Sequence, residues 1–154
     1  MRIGIAADHG GYEMKERLKK ALAQDGHTVE DFGAHALDSG DDYPDFVIPM
    51  AAAVASRKVE RGIALCTSGV GASIAANKIP GVRAALIHET FSASQGVEDD
   101  DMNVLCLGSK VLDYGQALEL ARLFLAARFS GAGRHRRRLD KVAGMECDCK
   151  SGLP

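Results

Sequence analysis

Cys66 is followed by Thr67, Ser68, Gly69, Val70 and Gly71, a thiol leading into two hydroxyls and a glycine-rich turn. Where such a run ends a strand and opens a helix, the sulfur faces the partial positive charge of the helix N-terminus, and the thiolate is favoured. The turn's free backbone N–H groups suit an anion. A free cysteine more often packs as a small hydrophobe, but the adjoining hydroxyls and glycines tip this one toward chemistry. Three familiar loops fail here on particular residues. A dinucleotide fingerprint wants a third glycine at position 74, which is Ile74. A P-loop wants a Gly-Lys-Ser/Thr ending, which is absent. A cysteine-phosphatase loop wants an arginine at position 72, which is Ala72. A base beside a turn that holds negative charge remains, the pairing that proton removal next to a carbonyl requires.

The elements around this loop decide whether it has company. Short apolar runs alternate with longer helical ones. Ile3–Ala7 reads as a first strand, and a helix follows with Met14, Leu18, Ala21 and Leu22 on one face, stopped by Gly26. Thr28–Phe32 reads as a second, more polar strand. After a loop over His35–Asp42, Pro44 suits the first turn of a helix running to Ala55. Gly62–Cys66 is the third strand, Ala72–Lys78 a helix, and Val82–Ile87 the fourth strand. Thr90–Met102 is a short polar helix or loop, and Val104–Gly108 is the fifth strand. A helix over Tyr114–Phe129 and a basic helix from Arg134 complete the pattern. Strands apolar on both faces, alternating with helices, predict a Rossmann-like three-layer αβα sandwich with a five-stranded parallel sheet. In such sheets ligands bind beyond the carboxyl ends of the strands. Asp8-His9-Gly10-Gly11, the Cys66 loop, His88-Glu89-Thr90 and Gly108-Ser109-Lys110 all lie at such ends. Their expected convergence on one sheet edge argues for a site.

A chain of 154 residues fits one domain, taken as residues 1–145 with a loose tail over 146–154. A net charge of -2 argues against a dedicated nucleic-acid or membrane-surface protein, because phosphate and anionic lipid repel it overall. No apolar stretch approaches the ~20 residues of a spanning helix. The strand-like start at Met1–Ile5 leaves no room for a signal peptide, and the four cysteines lack an extracellular spacing, so a cytoplasmic protein with reduced thiols is expected. Cys147-Asp148-Cys149 has too few partners for zinc.

Several segments occur together and in family order: Asp8-His9-Gly10-Gly11, Asp42-Tyr43-Pro44-Asp45, Cys66 through Gly71 with Ile74-Ala75-Ala76-Asn77-Lys78, Gly81-Val82-Arg83-Ala84-Ala85, Asn103-Val104-Leu105 and Gly133-Arg134-His135. Over Arg2 to about Met145 the chain resembles the ribose-5-phosphate isomerase B and galactose-6-phosphate isomerase family. The resemblance implies metal-free, cofactor-free aldose–ketose isomerisation of a phosphorylated sugar through a cis-enediolate. It also implies a homodimer, with or without further pairing of dimers, and sites at the subunit interface. Cys66 stands where the family's cysteine removes the proton beside the carbonyl. Members that use glutamate carry it at the position of Ala72, so this chain is of the cysteine type. Ser68, with Thr67 beside it, matches the hydroxyl that assists proton movement between the sugar oxygens. Gly69, Val70 and Gly71 match the oxyanion loop, and Asn77 lies in the same segment. Asp8 matches a hydroxyl-binding residue, His9 a phosphate contact and Tyr43 a residue packed near the sugar.

The sequence departs from that pattern in two places. Asp99 and Asp100 replace the family's His-Asn pair, whose histidine opens the sugar ring. With Asp101 they form three adjacent carboxylates, which raise one another's pKa if they converge. A proton shuttle and a solvated acidic turn both fit, with a metal site as a third reading. Lys110 replaces a phosphate-binding arginine and offers a point charge in place of a bidentate fork. Arg134 and Arg138, four apart on one helix face, match arginines that the family sends across the dimer to phosphate, whereas Arg136 and Arg137 read as a solvated basic face. Ribose 5-phosphate is the default substrate. Another aldose phosphate, a hexose 6-phosphate or a tetrose phosphate, is the alternative, and so is a non-catalytic sugar-phosphate-binding module on the same fold.

Overall fold

The structure, a computed structural model, describes residues 1–148. Five strands are separated by helices: β1 (Arg2–Ala7), α1 (Tyr12–Gln24), β2 (Thr28–Asp31), α2 (Tyr43–Ala55), β3 (Arg61–Cys66), α3 (Val70–Ala76), β4 (Ala84–Leu86), α4 (Thr90–Asp100), β5 (Val104–Gly108), α5 (Tyr114–Ala126) and α6 (Gly133–Asp148). All strand pairings are parallel, in the order β2-β1-β3-β5-β4.

Strand alternation sorts the side chains into two cores. Ile3, Ile5, Ile63, Leu65, Leu105 and Leu107 face α1, α4 and α5. The smaller Ala6, Ala64, Cys66 and Cys106 face α2 and α3. Small residues let α2 ride close to the sheet: a methyl added to Gly62 would lie 2.2 Å from Met50 Sδ. That close approach carries Tyr43, at the start of α2, down to the loop after β3.

The chain leaves β1 for β2 on one side and β3 for β4 on the other, so the topological switch lies between β1 and β3. The helices that follow these strands also diverge, α1 onto one face and α3 onto the other. A crevice at the carboxyl ends of β1 and β3 is the consequence.

Several boundaries differ from the sequence expectation, each for a local reason. The helix expected from Ala72 starts at Val70, because Gly69 O already accepts from Ser73 N at 3.0 Å. The strand expected from Val82 starts at Ala84, because Val82 N turns back to Ile79 O. The helix expected to reach Phe129 ends at Ala126, where Arg128 Nη1 takes the carbonyls of Leu125, Ala126 and Ala127. The open choice over Thr90–Met102 resolves as a helix capped by Glu89, whose carboxylate accepts from Ser92 N at 2.9 Å. α6 continues through the first residues of the expected tail to Asp148. Residues 149–154, including the Cys149 of the Cys-Asp-Cys motif, lie outside the described residues.

Candidate active site

At the end of β3 the backbone turns sharply, with Gly69 in the left-handed region at φ 81°. This turn aims the Gly69 N–H at Cys66 Sγ, 3.0 Å away. An N–H directed at sulfur complements negative charge there. Cys66 is 5% exposed. Thr67 and Ser68, by contrast, are exposed at the strand end, and Ser68 Oγ accepts from Val70 N at 3.3 Å. Gly71 lies under the Tyr43 ring: a methyl there would sit 2.6 Å from Tyr43 Cζ.

Neighbouring strand ends are fastened to this turn. Ser109 N donates to Cys66 O and Lys110 N to Thr67 O, both at 3.0 Å, and these bonds lock the β5 end beside β3. Ser109 Oγ donates to Gly10 O. On the other side, a methyl on Gly10 would lie 2.4 Å from Thr67 Oγ1, so the loop after β1 packs directly against the hydroxyl. Asp8 is buried, and burial pushes its carboxyl above the ordinary range, against the pull of His9 and the Gly11 N–H.

His9 is held by Asp41, which accepts from its backbone N at 2.8 Å and meets its Nδ1 at 2.7 Å. That hydrogen bond holds the imidazole pKa above its ordinary value. A cationic His9 therefore persists to higher pH than a free histidine. His9, Gly10, Arg17, Thr67, Ser109 and Lys110 line one cleft of about 640 Å³. Cys66 does not line it: its side chain packs in the core on the α2 and α3 side of the sheet, while Thr67, the next residue, reaches the cleft. The thiol of Cys106 is pushed up to about 12 by burial, with Cys66 as a second cause.

Thus Asp8, His9, Tyr43, Cys66, Thr67, Ser68, Gly69, Val70, Gly71 and Lys110 gather at the strand ends. The other expected site residues lie elsewhere in a single chain. Asn77 is a clamp: its amide donates to Ser73 O and Ala84 O and accepts from Ala84 N, which pins α3 to β4. The three carboxylates do not converge. Asp99 meets Gln95 and His135, Asp101 pairs with Arg83, and Asp100 is exposed. Among the described residues no His, Cys, Asp or Glu group is placed to hold a metal. Arg134 and Arg138 ride on α6, outside the cleft lining.

Sequence reasoning missed Asp41 and Arg17. Asp41 stands one residue before the Asp42-Tyr43-Pro44-Asp45 segment, and only the folded loop brings it to His9. Arg17, four residues after Glu13 on α1, belongs to no motif that would single it out. In the fold its guanidinium stacks 3.7 Å from the centroid of the Tyr114 ring, at the cleft wall.

A thiol under a directed N–H, with hydroxyls and an imidazole at the switch point of a parallel sheet and an ammonium at the neighbouring β5 end, is the arrangement of a parallel α/β enzyme with its candidate site at the strand ends. The chain belongs to the Ribose/Galactose Isomerase family, which it matches over residues 3–142. It is 38% identical over 146 residues to ribose-5-phosphate isomerase B of Mycobacterium tuberculosis, covering 95% of this chain and 90% of that one. The fold is similar to that of ribose-5-phosphate isomerase B from Clostridium thermocellum, with TM-score 0.93, 43% identity and coverage of 96% and 99% of the two chains. The enzyme of the same name from Mycoplasma genitalium, solved with bound ribulose-5-phosphate, gives TM-score 0.89, 38% identity and coverage of 94% and 95%.

Proposed function

We propose that this protein interconverts ribose 5-phosphate and ribulose 5-phosphate, with Cys66 as the base. The observation that carries the reading is the Gly69 N–H held 3.0 Å from Cys66 Sγ at the switch point, in a chain of this family. The thiolate removes the proton from C2 of the open-chain aldose and leaves a cis-enediolate. The resulting thiol returns a proton to C1. Ser68, with Thr67 beside it, carries the hydroxyl proton between O1 and O2. The Gly71 N–H stabilises the oxyanion beside those of Gly69 and Val70, which are engaged with Cys66 Sγ and Ser68 Oγ before substrate binds; Asp8 orients a sugar hydroxyl, and the Tyr43 ring walls the sugar.

His9 and Lys110 hold the phosphate. Lys110→Ala is expected to raise KM about 10-fold with a smaller change in kcat, as for a group that binds ground state and transition state alike. Steady-state kinetics check this, and Lys110→Arg should retain the wild-type KM within a few-fold. The His9 contribution carries a pH signature. Its pKa lies above the ordinary value because of Asp41, so phosphate affinity is full below the ordinary histidine pKa and fades as pH rises through the raised one. Asp8 and Asp41 are the charged groups facing the ring. In a plot of KM against pH, Asp41→Asn is expected to move the rise in KM to lower pH.

One chain leaves Arg134 and Arg138 outside the cleft, so a second copy supplies them in this reading, and the active form is a homodimer. The exposed apolar residues Val70 and Ile74 on α3 and Phe91 on α4 support an interface beside the Cys66 loop. The free thiols Cys66 and Cys106 and a phosphorylated substrate support a cytoplasmic location. Incubation of the full chain with a panel of aldose 5- and 6-phosphates, followed by ketose detection, tests the substrate. Ribulose 5-phosphate from ribose 5-phosphate at the highest kcat/KM is expected. No ketose from any member would overturn the reading.

A further inference from the structure

His135 is the one histidine of α6 and is only 3% exposed, on a helix otherwise rich in solvated charge. Each of its ring nitrogens has a partner. Arg134 Nε donates to Nε2 at 2.7 Å. An Nε2 that accepts must be unprotonated, so in the neutral ring the proton sits on Nδ1. Nδ1 has two acceptors in reach, Ser130 Oγ at 2.8 Å and Asp99 Oδ1 at 3.2 Å. Gln95 Nε2 donates to the other oxygen of Asp99 at 2.9 Å, which fixes the plane of the carboxylate. Ser130 is held in turn by its N–H on Glu98 O at 2.9 Å. The chain of partners therefore runs from α4 through His135 to the guanidinium of Arg134.

That arrangement does not serve the helix. Arg134 is the second residue of α6, where the helix's partial positive charge disfavours a cation. A carboxylate partner would neutralise the guanidinium, whereas a neutral imidazole only orients it. Arg134 is an exposed residue, and among the described residues no acceptor engages its Nη groups. A planar fork held through Nε and open at both Nη groups is built for bidentate capture of an oxyanion.

We propose that Asp99, Ser130 and His135 form a positioning relay that presents the Arg134 fork to the substrate phosphate. The proposal rests on the isomerase reading, in which a second copy of the chain brings Arg134 to that phosphate. Asp99 then acts by fixing the imidazole tautomer, and the carboxylate that replaces the family's histidine has a role in binding. Arg134 touches the substrate; Asp99, Ser130 and His135 act through it.

The test is a set of full-length variants, each checked for an unchanged thermal midpoint, assayed in steady state and by calorimetry with inorganic phosphate. His135→Ala is expected to raise KM about 10-fold and weaken phosphate binding by the same factor, with kcat within about twofold, the size of one hydrogen bond to a charged group. His135→Gln returns an acceptor to the Nε2 position and should recover most of the loss. Arg134→Lys keeps the charge without the fork. It should match His135→Ala, and the double variant should lose little more, because the two changes break one unit. Should His135→Ala fail to fold, Arg134→Lys and its pairing with His135→Gln carry the test. Unchanged phosphate affinity in His135→Ala would overturn the relay. So would a fall in kcat at unchanged KM in Asp99→Asn, which is the mark of a proton shuttle. A wild type that binds phosphate but isomerises nothing, with His135→Ala still weakening phosphate, would sink the isomerase reading and leave the relay standing.

Discussion

Replacing Cys66 with alanine is expected to lower kcat about 10³-fold while the protein stays folded. General-base removal costs about 10²–10⁴-fold when the rest of the site is intact, and here the loop that holds the enediolate is left in place. The side chain lost is small, and Cys66 shares its core with Ala6, Ala64, Ala72 and Ala76, so one more alanine is tolerated at a cost of about 1 kcal/mol. The companion measurement is Cys106→Ala. The two thiols face the same core, two residues apart in register across β3 and β5, since Ala64 is the partner of Cys106 and Gly108 that of Cys66. Only Cys66 receives the Gly69 N–H. The Cys106 thiol, pushed up to about 12, supplies no base near neutrality, and its loss should leave turnover standing. Steady-state kinetics and circular dichroism on both variants separate the chemical role from the packing role.

Gly69→Ala is the second large effect, and it strikes stability and turnover together. At φ 81° an L side chain is strained by about 1–2 kcal/mol. The new methyl would also lie 2.4 Å from Leu86 Cδ1 and 2.9 Å from the Leu107 carbonyl carbon. The leucine tip can yield, but the β5 backbone cannot. The loss is expected to reach about 2–4 kcal/mol in denaturant unfolding. Because relief comes from moving the turn, the N–H leaves the sulfur, and kcat should fall at least 10-fold in whatever protein remains folded. A stable Gly69→Ala with wild-type kcat would show that the turn does not serve the base.

The parallel sheet was legible in the sequence because β1, β3 and β5 are apolar on both faces, a signature that only strands covered by helices on each side can carry. Cys66 and its loop were legible for a related reason: the strand's apolar run ends on the thiol, and the glycines that follow mark a turn with free N–H groups. Asp41 was not, because its value lies in a long-range contact with His9 across the loop, which no periodicity reports. Arg17 was hidden because it belongs to no motif. Asn77 shows the opposite failure. It sits in the most distinctive segment of the chain, yet its amide is spent on joining α3 to β4. The run Asp99-Asp100-Asp101 suggested mutual repulsion on paper. In the fold the helix end sends Asp99 to α6 and Asp101, in the left-handed C-cap position, back to Arg83.

Proton abstraction at a carbon is the step that everything else serves, and hydrogen exchange reads it directly. With ribose 5-phosphate in D₂O, proton NMR of wild-type reactions should show loss of the C2 hydrogen in step with turnover. Cys66→Ala should show that exchange slowed about 10³-fold, in step with its residual turnover. Exchange in Cys66→Ala at the wild-type rate would contradict the assignment of the base and require another group at the strand ends to take the proton.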